Sequence, residues 1–237
     1  MKIQDSVALV TGANRGLGRH LAAQLLERGA KKVYAAVRDP RSVDLPGVVP
    51  LQLDITDAAS VARAAQVAQD VTLLINNAGI STHTRLSDGD STNIRLEMET
   101  HFFGPLEVSR AFAPIVAANG GGAILNVLSV LSWVHYPNYG AYSAGKAAAL
   151  AMTNVLRQEL APSRIDVTAL HVGYMDTEMA DYADKSDKVD PAWVAGLALD
   201  GVQSRALEVV ADDKSRAVRA ALSGGLEQLY PGLPAAN

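Results

Sequence analysis

The chain has 237 residues, 49% of them apolar and 19% charged, with a net charge of −4 at neutral pH. That length suffices for one α/β domain with a sizeable core, and the composition is that of a folded chain. The acidic balance gives no electrostatic reason to expect nucleic acid or an anionic membrane as partner, and the absence of cysteine excludes disulfides, thiolate metal sites and cysteine nucleophiles.

The first residues carry no leader pattern and no apolar run reaches membrane-spanning length, so a cytoplasmic location is expected. A short apolar strand at 7–10 is followed by Thr11-Gly12-Ala13-Asn14-Arg15-Gly16-Leu17-Gly18 and then by a helix over 17–28. Glycines let the backbone turn tightly and approach a pyrophosphate. The helix behind them offers unpaired N–H groups and the positive end of its dipole. Strand, glycine turn and helix in that order are the context of a dinucleotide site, which assigns Gly12, Asn14, Arg15, Gly16, Leu17 and Gly18 to a cofactor.

The second strand, 32–37, ends on Val37 and is followed by Arg38. An NAD-selecting site places an acid at this point, whereas a cation suits the 2′-phosphate of NADP(H), with Arg15 as a second positive charge. Asp39, one residue on, leaves NAD(H) open as the less favoured cofactor. The third strand, 48–53, leads to Asp54, placed to accept from an adenine amino group, and to Ile55, placed to cover the ring. After a helix over 57–69 and a strand at 71–75 comes Asn76-Asn77-Ala78-Gly79. Asn77, Ala78 and Gly79 either contact the cofactor or, with Asn76, pin a neighbouring strand.

A long helix follows over 91–118, with Pro105 as an irregularity, then a strand at 123–128, a helix at 139–160 and a strand at 165–172. Residues 175–190 read as a polar loop. Asp190-Pro191 supplies an N-cap and a proline at the first helical position, opening a helix to about 199. A last strand at 208–210 and a last helix at 212–222 close the pattern, the latter ended by Gly224-Gly225. The strands show little period-2 alternation, as strands buried on both faces do. The alternation of strand and helix predicts one α/β domain: a doubly wound parallel sheet of Rossmann type with helices on both faces. Its cofactor part spans about 6–128 and its active-site part 129–237.

Tyr142 and Lys146 lie four residues apart in a segment rich in Ala and Leu, so a helix places them on one face. A lysine cation near a phenol favours the phenolate and lowers its pKa, which suits a general acid or base. The glycine pattern, Asn76-Asn77-Ala78-Gly79, Ser129 and Tyr142-x-x-x-Lys146, in that order and at those distances, resemble the short-chain dehydrogenases/reductases. The resemblance runs from residue 7 to about 222 and is greatest to the NADP(H)-dependent carbonyl reductase branch.

The resemblance implies that Tyr142 protonates the carbonyl oxygen as hydride arrives, that Lys146 lowers the Tyr142 pKa and holds the nicotinamide ribose, and that Ser129 hydrogen-bonds the substrate oxygen. Ser132 competes for that role, with the spacing favouring Ser129. Met175 and Thr177 match positions that contact the carboxamide and phosphates, and Gly173 a small residue beside the nicotinamide. Two positions depart from the family. His101 stands where an Asn usually positions a water behind the Lys; it either keeps a relay that titrates near neutral pH, blocks it, or is a satisfied core histidine. Val172 stands where Pro is usual.

Trp133, Tyr136, Tyr139 and Tyr174 fall in segments that border the nicotinamide end, with Tyr182 and Trp193 beyond them. They read either as an aromatic wall for a bulky or aryl carbonyl or as ordinary packing or a subunit interface. His83 and His135 border the same region. The scattered histidines give no metal site. The helix from Tyr142 is apolar on nearly every face, and the resemblance implies a homo-oligomer, a tetramer or a dimer. The expected activity is the reversible, NADPH-dependent reduction of a ketone or aldehyde to an alcohol. The alternative, motivated by His101 and Val172, is a catalytically silent NADP(H)-binding regulatory protein. A nucleotide-sugar epimerase or dehydratase fits poorly, since those usually carry a larger C-terminal domain.

Overall fold

Consecutive residues of each apolar run are buried on opposite faces of one sheet, which is why the runs show no alternation. Leu9 packs into one core cluster and Val10 into another; Leu73 and Ile75 face one side and Leu74 the other. The computed structural model describes residues 1–232, so the last five residues of the predicted active-site part lie outside the described residues.

The elements follow in chain order. They are β1 (Val7–Thr11), α1 (Gly16–Glu27), β2 (Lys32–Val37), β3 (Val49–Gln52), α2 (Ala58–Val67), β4 (Leu73–Asn76), α3 (Ser91–Met98), α4 (Gly104–Ala118), β5 (Gly122–Val127), α5 (Gly140–Glu159) and β6 (Ile165–His171). A two-residue pair, β7 (Tyr174–Met175) and β8 (Lys188–Val189), precedes α6 (Pro191–Ser204), β9 (Glu208–Val210), α7 (Asp213–Ala221) and α8 (Leu226–Leu229). Seven strands form a parallel sheet in the order β3-β2-β1-β4-β5-β6-β9. Leu17, Leu21 and Leu25 of α1 pack with Val194 and Leu199 of α6 on one face. Val61 of α2 and Val108, Phe112 and Val116 of α4 pack on the other. The doubly wound α/β fold read from the sequence is the fold of the chain. Strand order reverses beside β1, and the crevice at the carboxyl ends of β1 and β4 is the place where such sheets bind ligands.

The structure refines the predicted elements at three places. The helix expected over 91–118 is interrupted at Glu99–Phe103 by a π turn, in which the Gly104 N–H reaches back to Glu99 O. Pro105 has no N–H and its ring crowds the carbonyl four residues before it, so the ladder slips by one residue just ahead of it. The segment read as a loop over 175–190 contains β7 and β8, paired Tyr174 to Lys188 and Met175 to Val189 and tied by an ion pair of Lys188 with Asp176 at 3.5 Å. Helix α6 opens on its predicted cap, Asp190 accepting from Ala192 N–H at 2.8 Å, but runs on to Ser204.

Asn76 does not reach the crevice. Its amide donates to Asn126 Oδ1 (2.8 Å) and Ser109 Oγ (3.0 Å), and Asn126 donates to Thr153 Oγ1 (2.9 Å), a buried chain that fixes α4 and α5 to β4 and β5. The pinning role is thus the one Asn76 performs.

The close approach of α1 to the turn before it depends on Gly18. A Cβ there would overlap Gly12 O and lie 2.5 Å from Asn77 Nδ2. Gly18→Ala is expected to destabilise the fold by about 1–3 kcal/mol, as overpacking does, and to lower the melting temperature by roughly 3–10 °C. An unchanged melting curve would contradict this packing.

Candidate active site

A cleft of about 860 Å³ runs along the carboxyl ends of the central strands. The glycine turn lines one end of it, Arg38, Asp54 and Ile55 a side, Asn77, Ala78 and Gly79 the floor, and His101, Tyr142 and Lys146 the far end, with Met175 and Thr177 across. Of the residues assigned to a cofactor from the sequence, all but Gly173 line this one cavity. The Gly173 N–H is instead held by Asp212 Oδ2 at 2.7 Å. Asp212 also accepts from Ser215 N–H and Ser215 Oγ, so the cap of α7 fixes the turn after β6. Sequence reasoning took Asp212 only as a helix start.

The turn after β1 is built for close approach. Gly12 and Gly16 have φ of +66° and +52°, a region that favours glycine. Thr11 Oγ1 accepts from the N–H groups of Asn77 (2.9 Å) and Ala78 (3.0 Å), and Asn77 Nδ2 donates to Thr11 O at 2.8 Å. Asn77 therefore pins the neighbouring strand end and lines the cleft at once. No side chain caps the N-terminus of α1, whose first N–H groups are open to an anion.

The charges at this end are arranged unequally. Arg38 is exposed, and among the described residues no carboxylate pairs with it. Asp39 is engaged by Arg41 through two bonds of 2.9 Å, which hold its carboxyl below the usual range, and it caps the short turn that follows. Arg15, expected as a free second cation, pairs with Glu178 at the cleft. Asp54 is oriented by Thr56, whose N–H (3.0 Å) and hydroxyl (2.7 Å) donate to Oδ1.

At the other end, Lys146 is buried, its ammonium donating to Val127 O at 2.8 Å and lying 5.6 Å from the centre of the Tyr142 ring. Burial brings its pKa down to about 8, against the pull of the Glu97 carboxylate. Burial pushes the Tyr142 phenol above its ordinary value; the Ser129 hydroxyl works the other way, and Glu97 and Tyr174 add to the rise. The sequence argument had Lys146 lowering the Tyr142 pKa. Here desolvation outweighs that attraction and drives each group toward its neutral form.

Ser129 is buried, and its Oγ accepts from Leu131 N–H at 3.1 Å. The Ser132 hydroxyl is engaged by Ser129 O (2.6 Å) and lies 3.1 Å from His171 Nδ1, in the core. His101 is buried at the cleft end with its ring edge-on to Tyr142, centroids 4.9 Å apart. Beside it sits a residue the sequence reading missed, Glu97, which is fully buried. Its only sequence signal was the four-residue spacing to His101.

The four aromatic residues assigned to substrate do not line the cleft. Trp133 stacks on His171 with ring centroids 3.6 Å apart, under the Arg219 guanidinium, and belongs to packing. Tyr136 is exposed. Tyr139 and Tyr174 meet hydroxyl to hydroxyl at 3.4 Å and cluster with His83 and Tyr182. His135 is bonded to the Tyr230 hydroxyl at 2.9 Å. Among the described residues no group of His, Asp and Glu could hold a metal ion, and no helix is long and apolar enough to cross a membrane.

Comparison with known proteins matches a family described as short chain dehydrogenase to residues 6–188. The dehydrogenase/reductase SDR family member 7B of Xenopus tropicalis is 32% identical over 196 residues, 75% of this chain and 63% of that protein, so this chain spans under two thirds of the relative's length. A short chain dehydrogenase from Burkholderia cenocepacia J2315, solved in complex with NADP, is 42% identical with a TM-score of 0.94, covering 99% of this chain and 100% of the other. The NADPH-bound carbonyl reductase from chicken fatty liver is 28% identical with a TM-score of 0.76, covering 84% and 91%.

The lowered Lys146 pKa has a consequence for stability. From about pH 8 to the ordinary value of 10.5, the unfolded chain binds more protons at this lysine than the folded one, so stability rises with pH there, while below pH 8 the penalty is constant. Lys146→Met removes the penalty. The stability of wild type relative to that variant is expected to improve by roughly 2 kcal/mol from pH 7 to pH 10 in urea unfolding. A gap independent of pH would contradict a depressed Lys146.

Proposed function

This chain belongs to the short-chain dehydrogenase family, and we propose that within it the chain reduces ketones or aldehydes to alcohols, reversibly, with NADPH. The observation that carries this reading is the convergence of Tyr142, Lys146 and the glycine turn on one continuous cleft. The residues present fit the cofactor: an uncapped helix N-terminus for a diphosphate, an Arg38 unpaired among the described residues for a 2′-phosphate, and an Asp39 already held by Arg41. The similar Burkholderia structure holds NADP and the chicken carbonyl reductase NADPH, which supports the choice over NADH.

When bound, the cofactor supplies the hydride. Tyr142, kept protonated at neutral pH by its burial, donates its proton to the carbonyl oxygen, and Ser129 donates a hydrogen bond to the same oxygen as negative charge grows on it. Lys146, with a pKa of about 8, gains and loses its charge close to working pH and would hold the nicotinamide ribose. Oxidation needs the phenolate, so the reverse direction is favoured at high pH.

Following cofactor absorbance against a panel of alkyl and aryl carbonyls tests the reading. Tyr142→Phe is expected to lower turnover by about 10²–10⁴ while leaving NADPH affinity within about twofold. Tight NADPH binding with no turnover on any carbonyl would replace this proposal with a silent NADP(H)-binding protein. Arg38→Ala is expected to weaken NADPH binding by about tenfold or more, the loss of a charge-assisted bond, and to leave NADH binding unchanged. Equal loss for both cofactors would remove Arg38 from 2′-phosphate recognition.

A further inference from the structure

His171, the last residue of β6, is 0% exposed, and the proposed reaction leaves it unused. Its Nδ1 lies 3.1 Å from Ser132 Oγ and 3.3 Å from Ser129 O, although 39 and 42 residues separate them in the chain. The Ser132 hydroxyl donates to Ser129 O at 2.6 Å, and the Ser132 N–H donates to the same oxygen at 3.0 Å. Two side chains therefore converge on one carbonyl. It belongs to the residue whose hydroxyl is assigned to the substrate oxygen.

The partners of His171 determine where its proton sits. A hydroxyl has one hydrogen, and two bare acceptors 2.6 Å apart repel, so the Ser132 hydrogen lies toward Ser129 O. Toward His171 the Ser132 Oγ can then only accept. Nδ1 must carry the imidazole proton, with Ser132 Oγ as its first acceptor and Ser129 O as its second. Nε2 is a bare acceptor, buried with no hydrogen-bond partner among the described residues. Glu208 Oε1 stands 3.6 Å from it, beyond hydrogen-bond reach, and the other oxygen of that carboxylate is bonded by Arg219 at 2.8 Å. Burial brings the His171 pKa down to about 4; Arg219 from α7 and Lys146 from α5 lower it too, against the Ser129 carbonyl and Glu208 from β9. The ring is neutral at working pH, and Trp133 holds its plane by stacking at 3.6 Å and 12°.

We infer that His171 is a positioning residue for Ser129: its Nδ1–H and the Ser132 hydroxyl clamp the Ser129 carbonyl and thereby aim the Ser129 hydroxyl at the substrate oxygen. The inference rests on the reading of this cleft as a carbonyl-reducing site. Ser129 is held on both sides of its Cα. Its Oγ accepts from Leu131 N–H at 3.1 Å, which leaves the hydroxyl hydrogen to be donated, and the clamp fixes the peptide plane that follows. It also joins the turn after β5 to the end of β6, beyond the last ladder bonds, Leu128 N–H to Leu170 O and Val130 N–H to Val172 O. The Ser129 bond strengthens as negative charge grows on the reacting oxygen, so a misaimed hydroxyl costs turnover more than substrate affinity.

The first reading is ¹H–¹⁵N correlation of the imidazoles in the full chain without cofactor, the His171 signals being assigned by their loss in His171→Asn. The Nδ1–H tautomer is expected at neutral pH, and Ser132→Ala is expected to shift the Ser129 carbonyl and Leu131 amide resonances. In kinetics, His171→Phe keeps a ring against Trp133 without the donor, and Ser132→Ala removes the relay hydroxyl with little change of volume. Each should lower kcat for reduction by about three- to tenfold, the loss of one hydrogen bond, with KM values within about twofold. His171→Asn, whose amide nitrogen takes the place of Nδ1, should keep kcat within about twofold of wild type although it loses the stack. In the Ser129→Ala background none of these substitutions should change the residual rate. If His171→Phe does not fold, Ser132→Ala and His171→Asn decide alone. An Nε2–H tautomer in wild type, an unchanged kcat in Ser132→Ala, or a His171→Asn loss as large as that of Ser132→Ala would overturn the inference. These outcomes are separable from the proposed activity. If no carbonyl is turned over, the tautomer and the Ser129 resonances still decide whether the clamp exists; if turnover is normal and indifferent to Ser132, this inference alone falls.

Discussion

β1 and β4 lie side by side although the whole β2–β3 excursion separates them in the chain, and their carboxyl ends are tied together by Thr11 and Asn77. One hydroxyl accepts from two successive N–H groups, and the Asn77 amide returns a bond to Thr11 O. The rest of the cleft depends on this tie. It holds Gly12 against Ala78, leaves Gly18 no room for a side chain, and points the N-terminus of α1 into the crevice without a cap. Polar groups that would be costly if left unpaired are thereby satisfied between the two strand ends, while the first N–H groups of α1 stay open toward the cavity.

The opposite end of the cleft is governed by desolvation. Tyr142 and Lys146 are both driven toward neutrality because the surroundings penalise either charge, and the Lys146 ammonium is anchored on Val127 O rather than on the phenol. A site of this kind moves protons readily but stores charge poorly. Glu97 changes that balance: it raises Lys146 and His101 and also raises Tyr142, so all three hold their protons more firmly. A carboxylate placed one helical turn ahead of His101 thus acts on all three groups in the same direction.

Sequence made the strands and most cleft residues legible because those signals are local. A glycine turn after an apolar run, an Arg at a strand end or a Tyr four residues before a Lys can be read without knowing what lies across the fold. The irregularity at Pro105 was legible for the same reason, but the direction of the slip, a widened turn rather than a break, depends on which carbonyl remains to bond Gly104. What stayed hidden is non-local. Trp133 finds its partner in His171, Gly173 in Asp212, and Tyr139 in Tyr174 and His83, across separations no periodicity reports. Glu97 was hidden differently: a Glu four residues before a His resembles any solvated helix pair, and its carboxylate partner, Thr82, lies fifteen residues away in the chain.

The pairing of Arg15 with Glu178 bears on how the cation near the glycine turn is to be counted. Both side chains are well exposed, 62% and 70%, and exposed pairs of this kind are worth at most about 1 kcal/mol. A phosphate at the N-terminus of α1 offers Arg15 a charge-assisted bond of roughly 1.5–3 kcal/mol in a partly enclosed cleft. The exchange is favourable, so the pair does not remove Arg15 from anion binding. It holds the side chain at the cleft and ties it to the segment after β7 until an anion competes. Arg38, with no such partner among the described residues, makes its full charge available at once, and the difference between the two arginines is one of order rather than of kind.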